Sequence, residues 1–194
     1  MSFQINKAKD RLALTEDALK ELKCSTDYSS FKKSWTNFLL HSHGVFTQLE
    51  QACKISPQAT QWYASKRNLR KHDPLMQYLH HARNSNEHSI EETTDYDAGG
   101  LGIGVQKEGF AQELMLNTQP DGSLRIDSTD GKPVLVEVIE PHYRLRAVKD
   151  RGVKYAVPKS HLGSVLDSTE PLYIAELGYS FIKALIDDAE ATFS

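Results

Sequence analysis

The apolar residues Phe31, Trp35, Phe38, Leu39, Phe46, Leu49 and Ala52 recur at helical spacing from position 31 to position 52. A stripe of that length fits one face of a long α-helix and no β-strand. A single amphipathic helix cannot bury its own stripe, so the chain must supply others to pack on it. Ile5, Ala8, Leu12, Leu19 and Leu22 form a shorter stripe upstream, and Leu172, Ala175, Tyr179, Ile182, Ile186, Ala189 and Phe193 form another at the C-terminal end. Ser56-Pro57 and Asp73-Pro74 each place a capping side chain before a proline at the first helical position. They predict a third helix running to about Lys71 and a fourth, new or sharply kinked, that carries Leu75, Leu79 and Ala82.

After Ile90 the pattern changes. Gly99-Gly100, Gly102 and Gly104 break any helix, and Asp121-Gly122, Asp130-Gly131 and Asp150-Arg151-Gly152 are hairpin signals. They separate short alternating stretches at 110–117, 134–139 and 143–148. The expected class is α+β: a mainly α-helical bundle with a small antiparallel β-meander inserted before the final helix. Residues 1–92 and 168–194 form the bundle in this reading, and 93–167 the β-rich insertion. Gly100-Leu101-Gly102-Ile103-Gly104 lacks the lysine and hydroxyl residue of a phosphate loop and reads as a hinge into that insertion.

At 194 residues, 39% of them hydrophobic, the chain is long enough to bury a sizeable core. A net charge of -3 excludes a general polyanion binder, so any contact with nucleic acid must use a local basic patch. Cys24 and Cys53 are the only cysteines, which argues against a disulfide scaffold or a cysteine zinc site and points to a reducing compartment. The charged N-terminal segment has no apolar h-region, and no apolar run approaches the roughly 20 residues of a membrane span. A soluble, cytoplasmic protein with no membrane partner is expected.

The stretch Arg83-Asn84-Ser85-Asn86-Glu87-His88 carries the candidate chemistry. At about 100° per residue, Leu75, Leu79 and Ala82 share one stripe of the fourth helix while Gln77, His81, Asn84 and His88 project roughly opposite. Arg83 flanks the core stripe. Arginine grips phosphate, and histidine, with an unperturbed pKa of about 6.5, suits proton transfer near neutrality. An i,i+4 pair between Arg83 and Glu87 on a solvated surface is the plainer account of the same residues.

An Arg, then Asn, then His four residues further on, late in a long helix of an α-bundle, resembles the HEPN superfamily. Arg83, Asn84 and His88 match its R-N-x-x-x-H motif, and the resemblance covers about 1–90 and 169–194. It implies a metal-independent endoribonuclease acting as a homodimer, with the motif helices of two protomers facing across a composite cleft. His88 then serves as general base or acid, Arg83 binds the scissile phosphate and Asn84 orients the histidine or the phosphate. The products are a 2′,3′-cyclic phosphate and a 5′-hydroxyl. His88 is expected to be partly exposed near a two-fold axis. Relatives of this kind are toxins or defence effectors held by a cognate inhibitor protein, and no cofactor is implied. The alternative is a non-catalytic HEPN-like module that binds nucleic acid or a partner protein through the β insertion.

Two further patches are candidate RNA-binding residues: Lys66, Arg67 and Arg70 (with Lys71) before Asp73, and Arg144 and Arg146 (with Lys154) across an expected hairpin. His80 and His81, one turn before the motif, can add charge to the same cleft, and His81 is taken with the substrate-binding set. Tyr143 and Tyr155 are placed by alternation on the core face. His41 and His43, two apart on a helix, fall on different faces and make a poor metal pair. No metal site is expected.

Overall fold

The computed structural model describes residues 4–88, 92–104, 113–129 and 134–193. The apolar stripes lie on five helices: α1 (Asn6–Cys24), α2 (Tyr28–Ala52), α3 (Pro57–His72), α4 (Pro74–His88) and α5 (Pro171–Phe193), with a 3-10 turn at Cys53–Ile55. Their starts follow from capping chemistry. Asp27 accepts from the Ser30 amide at 2.9 Å, and Ser56 accepts from the Ala59 amide at 3.1 Å ahead of Pro57. Asp73 has extended backbone and accepts from the Met76 amide at 2.9 Å, so α4 is a new helix rather than a kinked continuation of α3. The buried Asp73 carboxylate also accepts from the Leu162 amide at 2.7 Å and lies 2.9 Å from His161 Nδ1, which pins the start of α4 to the chain just before α5.

α1 packs on α2 and α5, while α4 lies against α2, α3 and α5. Trp35, Phe38 and Leu49 of α2, Leu75, Met76 and Tyr78 of α4, and Ile174, Ile182 and Ile186 of α5 are fully buried. Gly178 is where α5 and α4 come closest: a Cβ there would lie 2.5 Å from Leu79 Cδ1. Among the described residues, no helix is long and apolar enough to cross a membrane.

The strands are β1 (Thr94–Asp97), β2 (Gly100–Gly104), β3 (Leu114–Thr118), β4 (Leu124–Ser128), β5 (Leu135–Ile139), β6 (His142–Leu145), β7 (Val148–Asp150), β8 (Val153–Tyr155), β9 (Ser160–His161) and β10 (Ser164–Val165). They form small antiparallel pairs, giving an α+β protein dominated by helix. β3–β4, β7–β8 and β9–β10 are separate hairpins, and β2 pairs with β5 and β1 with β6, so among the described residues the strands form five two-stranded sheets in place of the expected meander. Of the expected strands, the part of 110–117 before Glu113 and the Asp130-Gly131 turn lie outside the described residues.

The expected strand 143–148 is two strands. The backbone of Arg146, between them, is diverted from ladder pairing: its amide donates to the Thr93 carbonyl at 2.9 Å and its carbonyl accepts from Tyr78 Oη at 2.8 Å. Trp35 Nε1 donates to Thr93 Oγ1 at 3.0 Å and Tyr28 Oη to the Thr94 carbonyl at 2.7 Å, so aromatic residues of α2 and α4 hold this crossing of the chain.

The chain divides into two compact units, Met1–Asp95 with Tyr143–Ser194, and Tyr96–His142. Residues 143–167, counted above with the insertion, therefore belong with the helices. Tyr143 stacks on Phe31 with ring centroids 4.0 Å apart, Leu145 and Val148 are buried, and β7 and β9 pack against α4. The second unit contains the β2–β5 and β3–β4 pairs, with Leu101 opposite Val138 and Ile103 opposite Val136. Gly99, just before β2, has φ 71° and a Cβ there would lie 2.1 Å from the Ile139 carbonyl oxygen, so only glycine fits.

Candidate functional site

Helix α4 buries more than its predicted stripe. Met76, Tyr78 and Ser85 are buried along with Leu75, Leu79 and Ala82: Met76 lies among Leu39, Phe46 and Ile182 of α2 and α5, while β7 and β9 pack against α4 and Tyr78 reaches the Arg146 carbonyl. The β7–β8 hairpin turns at Arg151 and Gly152, both at positive φ, the signature of a two-residue primed turn. The turn presents Asp150 to α4. Its Oδ2 accepts from Asn84 Nδ2 at 2.9 Å and lies 2.8 Å from His81 Nδ1. The Asn84 and then the His81 hydrogen bonds hold the Asp150 carboxyl below the usual carboxylate range.

This overturns one expectation about the motif. Asn84 does not face outward free for a partner: Nδ2 serves Asp150 and lies 3.5 Å from His80 Nε2, and Oδ1 accepts from Arg83 Nη1 at 3.3 Å. Arg83 is engaged as well. Its Nη2 lies 2.8 Å from Glu87 Oε2, the i,i+4 pair legible in the sequence, and its Nε is buried with no protein partner. His88 closes α4, and its side chain lies outside the described residues, as does its expected exposure near a two-fold axis.

Upstream of the motif, four rings run in sequence across the helix pair. His43 of α2 stacks on His80 at 5.7 Å, His80 meets His81 edge-on at 4.9 Å, and His81 stacks on Tyr155 at 3.5 Å. Burial, then the charges of Arg70, His81 and His43, push the His80 pKa down to about 4. His80 is therefore neutral near pH 7 and adds no charge to a cleft, contrary to its sequence reading. Its Nδ1 is buried and bonded to no protein group. His43 is also shifted down, by burial and then by Arg83 and Arg70.

Beside these rings lies a cleft of about 240 Å³ lined by Arg70, Lys71, Met76, Gln77, His80, His81 and Tyr155. Arg70 is half-buried with its guanidinium 4.2 Å over the Phe46 ring, and no described carboxylate forms an ion pair with it. Burial holds its pKa below the ordinary arginine value. The backbone carbonyl of Lys71 accepts from Gln77 Nε2, which ties the end of α3 to α4.

The structure thus brings Arg70 and His81 into one cleft, next to Asn84 and Arg83. It does not bring the other expected substrate contacts there. Lys66 pairs with Asp188 at 2.7 Å, Arg67 with Glu50 at 3.2 Å, and Arg144 with Asp95 at 2.9 Å. Arg146 is exposed and does not line the cleft. Tyr143 and Tyr155 are both half-buried and packed against the core as alternation predicts, and Tyr155 also stacks on His81 at the cleft wall.

Asp150 and His43 are the contributors that sequence reasoning passed over. His43 carried a signal: it lies four after Leu39 and three before Phe46, on the core stripe of α2. Asp150 carried none, since a turn aspartate reads as solvent-facing. Among the described residues, no group of three or more His, Cys, Asp or Glu side chains is arranged to hold a metal ion. Cys24 is exposed and Cys53 buried, both as free thiols. Comparison with family models, with curated proteins and with solved structures returns no match.

Proposed function

We propose that the chain is a metal-independent endoribonuclease of HEPN type, cutting RNA at a composite site formed by two protomers. The observation that carries the reading is the gathering of Arg83 and Asn84 with His80, His81, Arg70 and Lys71 on and beside one helix. In the reaction, His88 takes the proton of the ribose 2′-hydroxyl as its oxygen bonds to phosphorus. The 5′-oxygen leaves and takes a proton from the histidine of the second protomer. Arg83 compensates the charge gathering on the phosphorane oxygens, a term of several kcal/mol in such sites, and general acid–base transfer contributes about 10²–10⁴-fold. RNA is the substrate, and a cognate inhibitor protein fits a toxin or defence role.

The test is cleavage of single-stranded RNA in EDTA by wild type, Arg83→Ala and His88→Ala, with products checked for a 2′,3′-cyclic phosphate. Loss of at least about 10²-fold in both variants at unchanged melting temperature supports the reading. Cleavage that persists in both rejects it.

One observation favours a second reading, a non-catalytic module that binds a partner through the β insertion. In the second unit, the cross-strand pairs Leu101–Val138 and Ile103–Val136 form a wholly apolar face, with Leu101 58% and Val138 64% exposed. Absence of cleavage of any RNA, together with stoichiometric capture of one partner lost on Val138→Lys, selects this reading.

A further inference from the structure

Several of the cations singled out in the sequence are neutralised within the protein. Lys66, Arg67, Arg83 and Arg144 each have a carboxylate within 3.2 Å. Arg70 and Lys71 differ. Neither forms an ion pair with a described carboxylate, and both line the same cleft. Glu50, whose charge acts on Arg70, is itself engaged by Arg67. A guanidinium drawn out of water over Phe46 without a counter-charge is unfavourable until an anion reaches it.

The opposite wall of the cleft is equally specific. Asp150 is a carboxylate acceptor, so it fixes the His81 proton on Nδ1 and leaves Nε2 without a protein partner. Tyr155 stacks on the same ring at an interplanar angle of 13°, which limits its rotation. The side chain of His81 is 20% exposed, and His81 lines the cleft. Two unpaired cations thus flank a pocket in which a histidine is held in one orientation. A planar fork, a point charge and an imidazole that gains a second proton at Nε2 suit a phosphate group, which offers several acceptor oxygens in different directions.

We propose that the cleft between α3, α4 and the β7–β8 hairpin is a phosphate-binding site, with Arg70 and Lys71 supplying charge, His81 taking up a proton from solvent at Nε2 as the anion binds and donating it to a phosphate oxygen, and Asp150 acting as the positioning residue that holds the His81 Nδ1–H. Arg83 does not line this cleft, although its neighbour Asn84 shares the Asp150 carboxylate with His81. The site rests on the ribonuclease reading only for where its phosphate comes from, a backbone diester of bound RNA or a free monophosphate.

Titration of the full-length protein with inorganic phosphate, with a nucleoside 5′-monophosphate and with an oligoribonucleotide lacking terminal phosphates tests it, read by calorimetry and by the His81 ring resonances. At least one probe binds saturably and shifts those resonances, and the probe that binds tightest identifies the source. Lys71→Gln, at an exposed position, weakens binding about tenfold with no change in melting temperature, and Arg70→Gln does at least as much. In Asp150→Asn the ¹⁵N shifts of the His81 ring show loss of the single tautomer, and phosphate affinity falls with it. Absence of saturable binding by all three probes overturns the proposal, as does binding that Lys71→Gln and Arg70→Gln leave unchanged. Because binding is read without turnover, an RNA-cleavage assay that fails leaves this measurement decisive.

Discussion

Asn84 Nδ2 donates to Asp150 Oδ2 at 2.9 Å, joining the motif helix to the turn of a hairpin 66 residues further along the chain. Since Asp150 Oδ2 also lies 2.8 Å from His81 Nδ1, one carboxylate sets the orientation of two α4 side chains. Asp150→Ala leaves both donors without their acceptor, and a loss of about 2–3 kcal/mol is expected in urea denaturation at pH 7. An Asn84→Ala, Asp150→Ala cycle should be clearly non-additive. Independent effects of the two substitutions would mean that the contact contributes nothing.

The same carboxyl predicts an acid limb. Its folded-state pKa is lowered, chiefly by Asn84 and then by His81, so its stabilising contribution is present above the ordinary carboxylate value near 3.8 and is lost as pH falls through the lower folded value. Wild-type stability should therefore drop more steeply below about pH 4 than that of Asp150→Asn. Parallel curves for the two proteins between pH 5 and pH 2 would contradict this.

His80 acts in a different window. Its pKa is lowered from 6.5 to about 4, so between those values the unfolded chain binds the proton that the folded protein refuses. Stability is complete above pH 6.5 and declines as pH falls toward 4, by about 1–2 kcal/mol after solvent screening in the open cleft is allowed for. His80→Gln should flatten this part of the stability curve. A residual slope of the same sign is expected from His43, which burial also shifts down. An unaltered slope in His80→Gln would show that His80 is not the group responsible.

The helices were legible because each sequence signal is local and strong. The stripe containing Trp35 and Phe38, the Ser56-Pro57 and Asp73-Pro74 starts, and the spacing from Leu172 to Phe193 all depend on neighbours within a turn or two. The Asp150-Arg151-Gly152 turn was legible for the same reason. What Asp150 does was not, because its partners Asn84 and His81 are distant in sequence and only the packing of β7 on α4 brings them together. The break at Arg146 was hidden similarly, since it depends on Thr93 and Tyr78 claiming its backbone groups. At the site, Arg83 and Asn84 were found by motif, but the pairing that occupies them follows from tertiary contacts and rotamers.

Gly178 gives a prediction for the core. A methyl group there meets Leu79 Cδ1 at 2.5 Å, with Phe38 and Leu75 side chains at 3.7 and 3.8 Å. Gly178→Ala gains up to about 1 kcal/mol of helix propensity but forces Leu79 to move within a filled core, an overpacking cost of about 1–3 kcal/mol. A net fall in melting temperature is expected. Pairing it with Leu79→Ala should cost less than the sum of the two single changes, because the methyl then enters space vacated by the leucine. A stabilised Gly178→Ala would show that the α4–α5 contact has room to yield.

Glu87 supplies the sharpest test of what Arg83 is for. The Arg83–Glu87 pair is only partly shielded, with side chains 22% and 36% exposed, and an i,i+4 pair of this kind contributes about 0.3–0.5 kcal/mol. Glu87→Gln should therefore change stability very little. If Arg83 receives a phosphate, Glu87 competes with that phosphate for the guanidinium, and removing its charge tightens RNA binding severalfold. The gain should vanish when Arg83→Ala is added, which separates it from a general change in net charge. An arginine that serves only the helix surface predicts the opposite: Glu87→Gln leaves RNA affinity where it was, or shifts it equally with and without Arg83.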